Sequence, residues 1–245
     1  MGIVINQSLK NTVSTYFGFG IGAVNTLFLY TYFLTDAYYG LVGYLIAVAN
    51  IMMPLLTFGV HNTLIKFFSS YSSAEEQHRF TAMMFFLPLL TIIPAGLIGV
   101  LSYQWIVPLL SEKNELIKEY LWLTYLIAFA MAYFEVFFAW AKANMKSVFG
   151  NFLKEVFHRI VIMGMLFMVF FEVLTLVDFI YGIAIMYLVR MLLMGIAAIR
   201  VKRPKMRFNM PQNSREILKY SGFIMLSGSI AIILLDIDKF MIGQF

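Results

Sequence analysis

LVDFIYGIAIMYLVRMLLMGIAAI, residues Leu176 to Ile199, decides the fold class of this chain. Asp178 and Arg190 are its only charged residues. A helix must run for about 20 mainly apolar residues to cross bilayer hydrocarbon, and this stretch does so without a break. Other stretches of the same kind precede it: about Asn11–Leu34, Leu41–Phe67, Phe80–Pro108, Glu119–Lys142 and Gly150–Leu174. A seventh runs from Tyr220 to Phe245. The fifth is the weakest, since its apolar run from Ile160 to Phe171 must borrow the turns that carry His158 and Arg159. Pro54, Pro88 and Pro94 fall inside spans, where they kink helices but are tolerated.

The composition of the whole chain agrees. Of 245 residues, 61% are hydrophobic and 13% charged, with a mean hydropathy of +0.82. A soluble domain carries roughly 25% charged residues. The 25 Phe, 14 Tyr and 17 Met exceed what a water-soluble core of this length hides. The fold class read from this is all-α, a polytopic transmembrane helical bundle. With no cysteine, disulfide frameworks, thiolate metal sites and thiol catalysis are excluded. A net charge of +5 would suggest nucleic acid in a soluble protein; here it reflects basic loops, and no nucleic-acid partner is expected. Residues Met1 to Lys10 lack the pattern of a cleaved signal peptide, so the first span acts as an uncleaved anchor. Asn6 stands where myristoylation of Gly2 prefers Ser or Thr.

Loop charges set the expected topology. Lys10 precedes the first span, Lys66 and Arg79 flank the second connection, and Lys142, Lys146 and Lys154 the fourth. The sixth holds Arg200, Lys202, Arg203, Lys205, Arg207, Arg215 and Lys219. The first and fifth have no Lys or Arg, and in the third Lys113 and Lys118 are offset by Glu112, Glu115 and Glu119. Positive-inside counting places the N-terminus and the Arg200–Lys219 linker in the cytoplasm.

That linker, with Pro204 and Pro211, divides the chain into an expected six-helix lobe over 1–200, a basic linker over 201–219 and one further helix over 220–245. Ile217-Leu218-Lys219 opens the last helix much as Ser8-Leu9-Lys10 opens the first. In that register Gly18 falls on Ser227, Gly20 on Ser229 and Gly22 on Ala231, the kind of coincidence parallel repeats produce. Ending inside an apolar run, the chain is expected to be an N-terminal half.

Several short motifs carry a family resemblance. Thr35-Asp36-Ala37-Tyr38-Tyr39-Gly40-Leu41 resembles the acidic–Tyr–Gly turn between the first two spans of polysaccharide flippases, the Wzx-like branch of the multidrug/oligosaccharidyl-lipid/polysaccharide exporter superfamily. Gly59-Val60, followed by Phe67-Phe68-Ser69, resembles their second-helix exit. Lys146-Ser147-Val148-Phe149-Gly150-Asn151-Phe152-Leu153-Lys154-Glu155 is similar to their fourth connection, and Asp238-Lys239-Phe240-Met241-Ile242-Gly243 to a string in their seventh helix. The resemblance covers the chain in order and implies a MATE-like arrangement of two lobes around a central cavity. This sequence would then supply the first lobe and one helix of the second.

Charges at membrane depth each cost about 2.5–3.5 kcal/mol on insertion scales and so need a reason. Arg190 lies midway along the sixth span, out of snorkelling range of either surface. It either grips a phosphate oxygen bidentately from the cavity wall or pairs with Glu135. Glu135, in the fourth span, either takes a coupling proton or cation or pairs with Arg190 or Lys142, two turns on. Glu155 and Arg159 are spaced for an intrahelical pair, and Arg159 is deep enough to line the cavity. Lys142 and Arg159 join Arg190 as candidate substrate cations. Asp236, Asp238 and Lys239 are candidate coupling or gating residues in the seventh span, with an outer salt bridge as the alternative. Gly18-x-Gly20-x-Gly22 reads as close helix packing rather than a dinucleotide loop. His61, His78 and His158 lack zinc spacing, so no metal, cofactor or catalytic residue is expected.

The leading expectation is a transporter that flips undecaprenyl-pyrophosphate-linked oligosaccharide across a bacterial inner membrane, with membrane lipids around it and a proton or sodium ion as coupling partner. A drug/cation antiporter of the same fold is the alternative, needing an acidic, aromatic-lined pocket that Arg190 and Arg159 oppose. A membrane-embedded glycosyl- or acyltransferase would need a His or paired carboxylates on a sizeable loop, and the connections here are short.

Overall fold

Inside hydrocarbon no water is present to bond a backbone N–H or C=O, so each spanning segment must satisfy those groups along its own axis, as a helix does. The structure, a computed structural model, describes residues 2–110 and 115–242, and of residues 3, 4, 109 and 235–242 it describes the backbone. The described residues form helices that join into seven rods, with no strand among them. The first rod is Ile3–Val24, continued by a π-helical turn, Asn25–Leu29, and by Tyr30–Phe33. The second is Asp36–Thr57 with Val60–Phe68, and the third Ala74–Phe86, Leu89–Leu101 and Tyr103–Leu110. The fourth is Glu115–Ala143. The fifth is Val148–Phe152, a π-helical turn at Leu153–Phe157, and His158–Phe170. Leu176–Val201 and Ser214–Ile242 are the sixth and seventh.

Among the described residues, six helices are long and apolar enough to cross a membrane, and the protein is a multi-pass membrane protein. The fifth rod is not among the six. It is continuous from Val148 to Phe170, which at about 1.5 Å per residue is long enough to cross. Lys154, Glu155 and Arg159 keep it from being apolar enough, and the protein pairs all three internally.

Burial sets the order of the bundle. In the fourth helix 67% of the apolar stretch is buried, against 11% in the first, so the fourth is the central post and the first stands at the edge. The second and sixth helices pack on the fourth, and the seventh packs on the second. Lipid surrounds apolar side chains as favourably as a neighbouring helix does, so close approach of small residues and shape matching hold such helices together. Gly150, for example, lies directly beneath the Phe138 ring, where a Cβ would overlap it.

Gly59 shows what the Gly-Val motif of the second rod does. Phe58 and Gly59 both adopt left-handed conformations, with φ 50° and 67°, and the helix resumes at Val60. The motif lies just past the end of the apolar span Asp36–Thr57, at the kink before Val60–Phe68. A Cβ at Gly59 would overlap the Ser221 carbonyl oxygen and come within 3.0 Å of the Ile224 Cβ. The absent side chain thus lets the seventh helix lie against the second, where the Ser221 hydroxyl donates to Thr63 Oγ1 at 2.8 Å.

The basic stretch between the sixth and seventh helices is seated on the bundle end. Trp140 Nε1 donates to the Lys202 carbonyl at 2.9 Å, and the Arg207 N–H to the His78 carbonyl at 3.3 Å. The Gln212 N–H donates to Glu76 Oε2 at 3.0 Å, and the Tyr71 hydroxyl to Asn213 Oδ1 at 2.7 Å.

Candidate functional site

The site grows from the contact between the first and fifth helices. Gly18 and Gly22, one turn apart, face the fifth helix. A Cβ at Gly18 would overlap the Glu155 carbonyl oxygen and approach Arg159 Nη1 to 2.7 Å; one at Gly22 would meet Arg159 Nε at 3.0 Å. Gly20 faces open space. The three-glycine motif is therefore a two-glycine slot that holds the Arg159 side chain. In that slot Arg159 Nη1 donates to the Glu155 carbonyl at 2.7 Å and pairs with Glu155 Oε2 at 3.4 Å, while the guanidinium lies 5.3 Å from the Phe19 ring centroid. Asn25, only 3% exposed, donates from Nδ2 to the Arg159 carbonyl at 2.8 Å, and its Oδ1 has no hydrogen-bond partner. Both helices carry a π-turn beside this contact, Asn25–Leu29 and Leu153–Phe157. Such a turn adds a residue to the helical repeat and rotates the side chains beyond it to a new direction, and it recurs at functional sites.

A second cluster surrounds Glu135 on the fourth helix. Glu135 is 8% exposed, and its Oε1 lies 2.6 Å from Lys154 Nζ on the fifth. The expected partners were Arg190 and Lys142; the carboxylate takes Lys154 instead. The π-turn of the fifth helix contains Lys154, whose half-buried side chain reaches in to Glu135, whereas the sequence alone makes it a loop charge. Lys142 Nζ sits 3.9 Å from the Phe138 ring centroid, and His61 of the second helix lies within electrostatic reach of Glu135.

Arg190 lies within electrostatic reach of Glu135 and Glu155 but forms no ion pair with either. It is 6% exposed, and its guanidinium is held between Phe134 at 4.4 Å and Tyr187 at 4.7 Å. Its Nε has no hydrogen-bond partner, and among the described residues no carboxylate lies within 4.0 Å of it. The aromatic faces supply cation–π attraction where an ion pair was an open reading. His158, beside it, likewise has an unpartnered Nδ1. The interior thus gathers four cations, Lys142, Lys154, Arg159 and Arg190, around two carboxylates, Glu135 and Glu155.

Two cavities border these clusters. One, of about 680 Å³, opens among the first, second, fifth and sixth helices, with Tyr30, Asp36, Tyr39, His158, Arg159 and Tyr187 in its walls. The other, of about 530 Å³, lies towards the basic end, between the first helix and the turn after the fourth, and Lys142 borders it. Of the residues expected to act, the structure brings Glu135, Lys142, Arg159 and Arg190 into one region. Asp236, Asp238 and Lys239 lie outside the residues whose side chains are described. Sequence reasoning missed Lys154 as the partner of Glu135, and it missed Asn25 and Tyr187 as wall residues. A lone amide in an apolar span was the available signal for Asn25; for Tyr187 there was none, since Tyr is common throughout the chain.

Over residues 5–245 the chain matches the family described as polysaccharide biosynthesis protein, and it belongs to that family. Searches of curated proteins and of solved structures found no match.

Proposed function

We propose that this member of the polysaccharide biosynthesis family is a flippase that moves undecaprenyl-pyrophosphate-linked oligosaccharide across a bacterial inner membrane by alternating access. A charged, sugar-bearing headgroup cannot cross hydrocarbon unaided, so the protein must replace its water with fixed polar groups. The observation that carries the reading is Arg190: a guanidinium buried at mid-span, held by two aromatic faces and without a carboxylate partner among the described residues. Glu135 is paired with Lys154 and Glu155 with Arg159. Arg190, within electrostatic reach of both carboxylates, and Lys142, within reach of Glu135, form no ion pair among the described residues and can turn to an anion. A planar fork suits a phosphate oxygen pair, and burial strengthens the attraction. Arg159 and Lys142 assist at either side, and Glu135, clamped by Lys154, is the group whose charge a coupling ion would alter. Asp236, Asp238 and Lys239 act at the gate. The N-terminus and the Arg200–Lys219 linker face the cytoplasm.

The test is a comparison of Arg190→Lys, Arg190→Ala and Arg190→Ala/Glu135→Gln for membrane abundance and polysaccharide export. Arg190→Lys keeps the charge without the fork, so partial export at normal abundance is expected; Arg190→Ala should abolish export at normal abundance. Restored export in the double variant would overturn the phosphate-binding role. For orientation, a single cysteine at position 205 of this Cys-free chain should resist impermeant thiol reagent added outside.

One observation favours the antiporter as a second reading: Asp36 shares its cavity with Tyr30, Tyr39 and Tyr187, an acidic, aromatic lining suited to an organic cation. Arg159 in the same wall opposes it. Drug resistance that falls in Asp36→Asn while polysaccharide export stays intact would support that reading.

A further inference from the structure

The first helix presents one polar face to both cavities. At the basic end it contributes Gln7, Ser8, Asn11, Thr12 and Thr15, and in the larger cavity Gly22, Asn25, Thr26 and Tyr30. Up to the π-turn, Gln7, Asn11, Thr15, Gly22 and Asn25 recur at intervals of four, four, seven and three residues, with Ser8, Thr12 and Thr26 next to them, which keeps them on one side. From residue 7 to residue 26 the stripe covers about 28 Å at about 1.5 Å per residue, close to the roughly 30 Å thickness of bilayer hydrocarbon. Apart from Lys142, Arg159 and Asp36 at its margins, it offers amides and hydroxyls, groups that both donate and accept.

Two of those amides carry unmet bonds. The Oδ1 atoms of Asn11 and Asn25 are buried and lack a donor, although each Nδ2 is used, Asn11 on Ser147 Oγ at 2.9 Å and Asn25 on the Arg159 carbonyl at 2.8 Å. A buried acceptor left unpaired is costly, so each marks a place where a donor is wanted. Hydroxyl-rich ligands supply donors, and the rings of Tyr16 in one cavity and of Tyr30 and Tyr39, stacked at 5.3 Å, in the other offer apolar faces for the C–H side of a sugar ring. Between the cavities the stripe is interrupted where the Arg159 guanidinium lies over Phe19.

We propose that the two cavities are successive saccharide-binding stations on one path along the first helix, with the Phe19–Arg159 contact as the barrier between them. Thr12 and Asn11 receive sugar hydroxyls at the basic end, and Asn25 and Thr26 receive them beyond the barrier. The assignment rests on the flippase reading for the identity of the cargo, but it concerns the neutral sugar and not the pyrophosphate. Recognition by paired donors and acceptors, with little net charge, lets oligosaccharide units of differing sequence pass.

The experiment uses the full chain in lipid nanodiscs and two probes: inorganic pyrophosphate, and the free oligosaccharide released by mild acid from the host's own lipid-linked pool. Thr12→Val and Thr26→Val preserve side-chain shape at exposed positions. The one hydrogen bond at stake in them, Thr26 Oγ1 to its own helix at the Gly22 carbonyl, does not hold helices together. Each should weaken oligosaccharide binding about threefold and the pair about tenfold, with pyrophosphate binding and melting temperature unchanged. Oligosaccharide binding in the double variant equal to that of the parent, or no oligosaccharide binding by a parent chain that supports export, overturns the path and leaves the flippase reading intact. Absence of pyrophosphate binding together with absence of export sinks the flippase reading instead, while loss of oligosaccharide binding in the two Thr variants would still support the stations.

Discussion

Replacing Lys154 with Met strands the Glu135 carboxylate inside the bundle. Removing one partner of a fully buried ion pair costs about 3–5 kcal/mol, whereas an exposed pair is worth about 0–1 kcal/mol. Here the carboxylate side chain is 11% exposed and the ammonium side chain 40%, so the pair lies between those limits. Lys142, two turns from Glu135 on the same helix and resting on the Phe138 ring, can swing towards the stranded charge and offset part of the loss. We expect Lys154→Met to lose about 2 kcal/mol, a factor of about 30 in the folding equilibrium. For a chain of this size that corresponds to a fall in melting temperature of about 4–8 °C. Trp140 is a natural reporter: it is buried, five residues from Glu135, and hydrogen-bonded to the Lys202 carbonyl. Its fluorescence in nanodiscs should show the early transition. Glu135→Gln in the Lys154→Met background should recover most of the loss, because the stranded carboxylate is then gone. Lys142→Met alone should cost under about 1 kcal/mol, and together with Lys154→Met it should cost more than the sum of the two. A Lys154→Met protein that melts within about one degree of the parent refutes the reasoning, as does a double variant with Glu135→Gln that melts as low as the single one.

Gly18→Ala should separate the first and fifth helices and cost about 1–3 kcal/mol by overpacking, while Gly20→Ala, facing open space, should stay within about 0.5 kcal/mol; membrane abundance of tagged chains separates them. Gly59→Ala should lose about 2 kcal/mol or more, since it strains a left-handed residue and pushes the seventh helix off the second. Proteolysis of the linker, faster in Gly59→Ala, would report it. Glu75→Gln, at the exposed pairs with Arg79 at 2.8 Å and Arg207 at 3.2 Å, should leave the melting temperature unchanged, because solvent screens such pairs. Linker proteolysis should be unchanged there, because the bonds from Gln212 to Glu76 and from Tyr71 to Asn213 remain.

The amino-acid sequence by itself determined that the chain crosses a membrane as helices, because twenty-odd apolar residues in a row have no other stable form in hydrocarbon. It also determined which residues needed explaining, because a charge such as Arg190 or Glu135 is conspicuous against an apolar background. The intrahelical Glu155–Arg159 pair was legible for the same local reason, being fixed by helical spacing alone. Only tertiary structure decided how the charges are shared between helices. Two π-turns, each adding one residue to the helical repeat, leave no mark in hydropathy, yet one of them takes Lys154 from an expected loop into contact with Glu135. That exchange leaves Arg190 to the aromatic faces of Phe134 and Tyr187. The cavities were equally invisible, because their walls come from distant segments of the chain, in the larger one from four helices, and spacing along any one of them says nothing of the others. Local periodicity fixes what each helix is; the rotation of one helix against the next, set by side-chain packing and by glycines such as Gly18 and Gly59, fixes which groups meet.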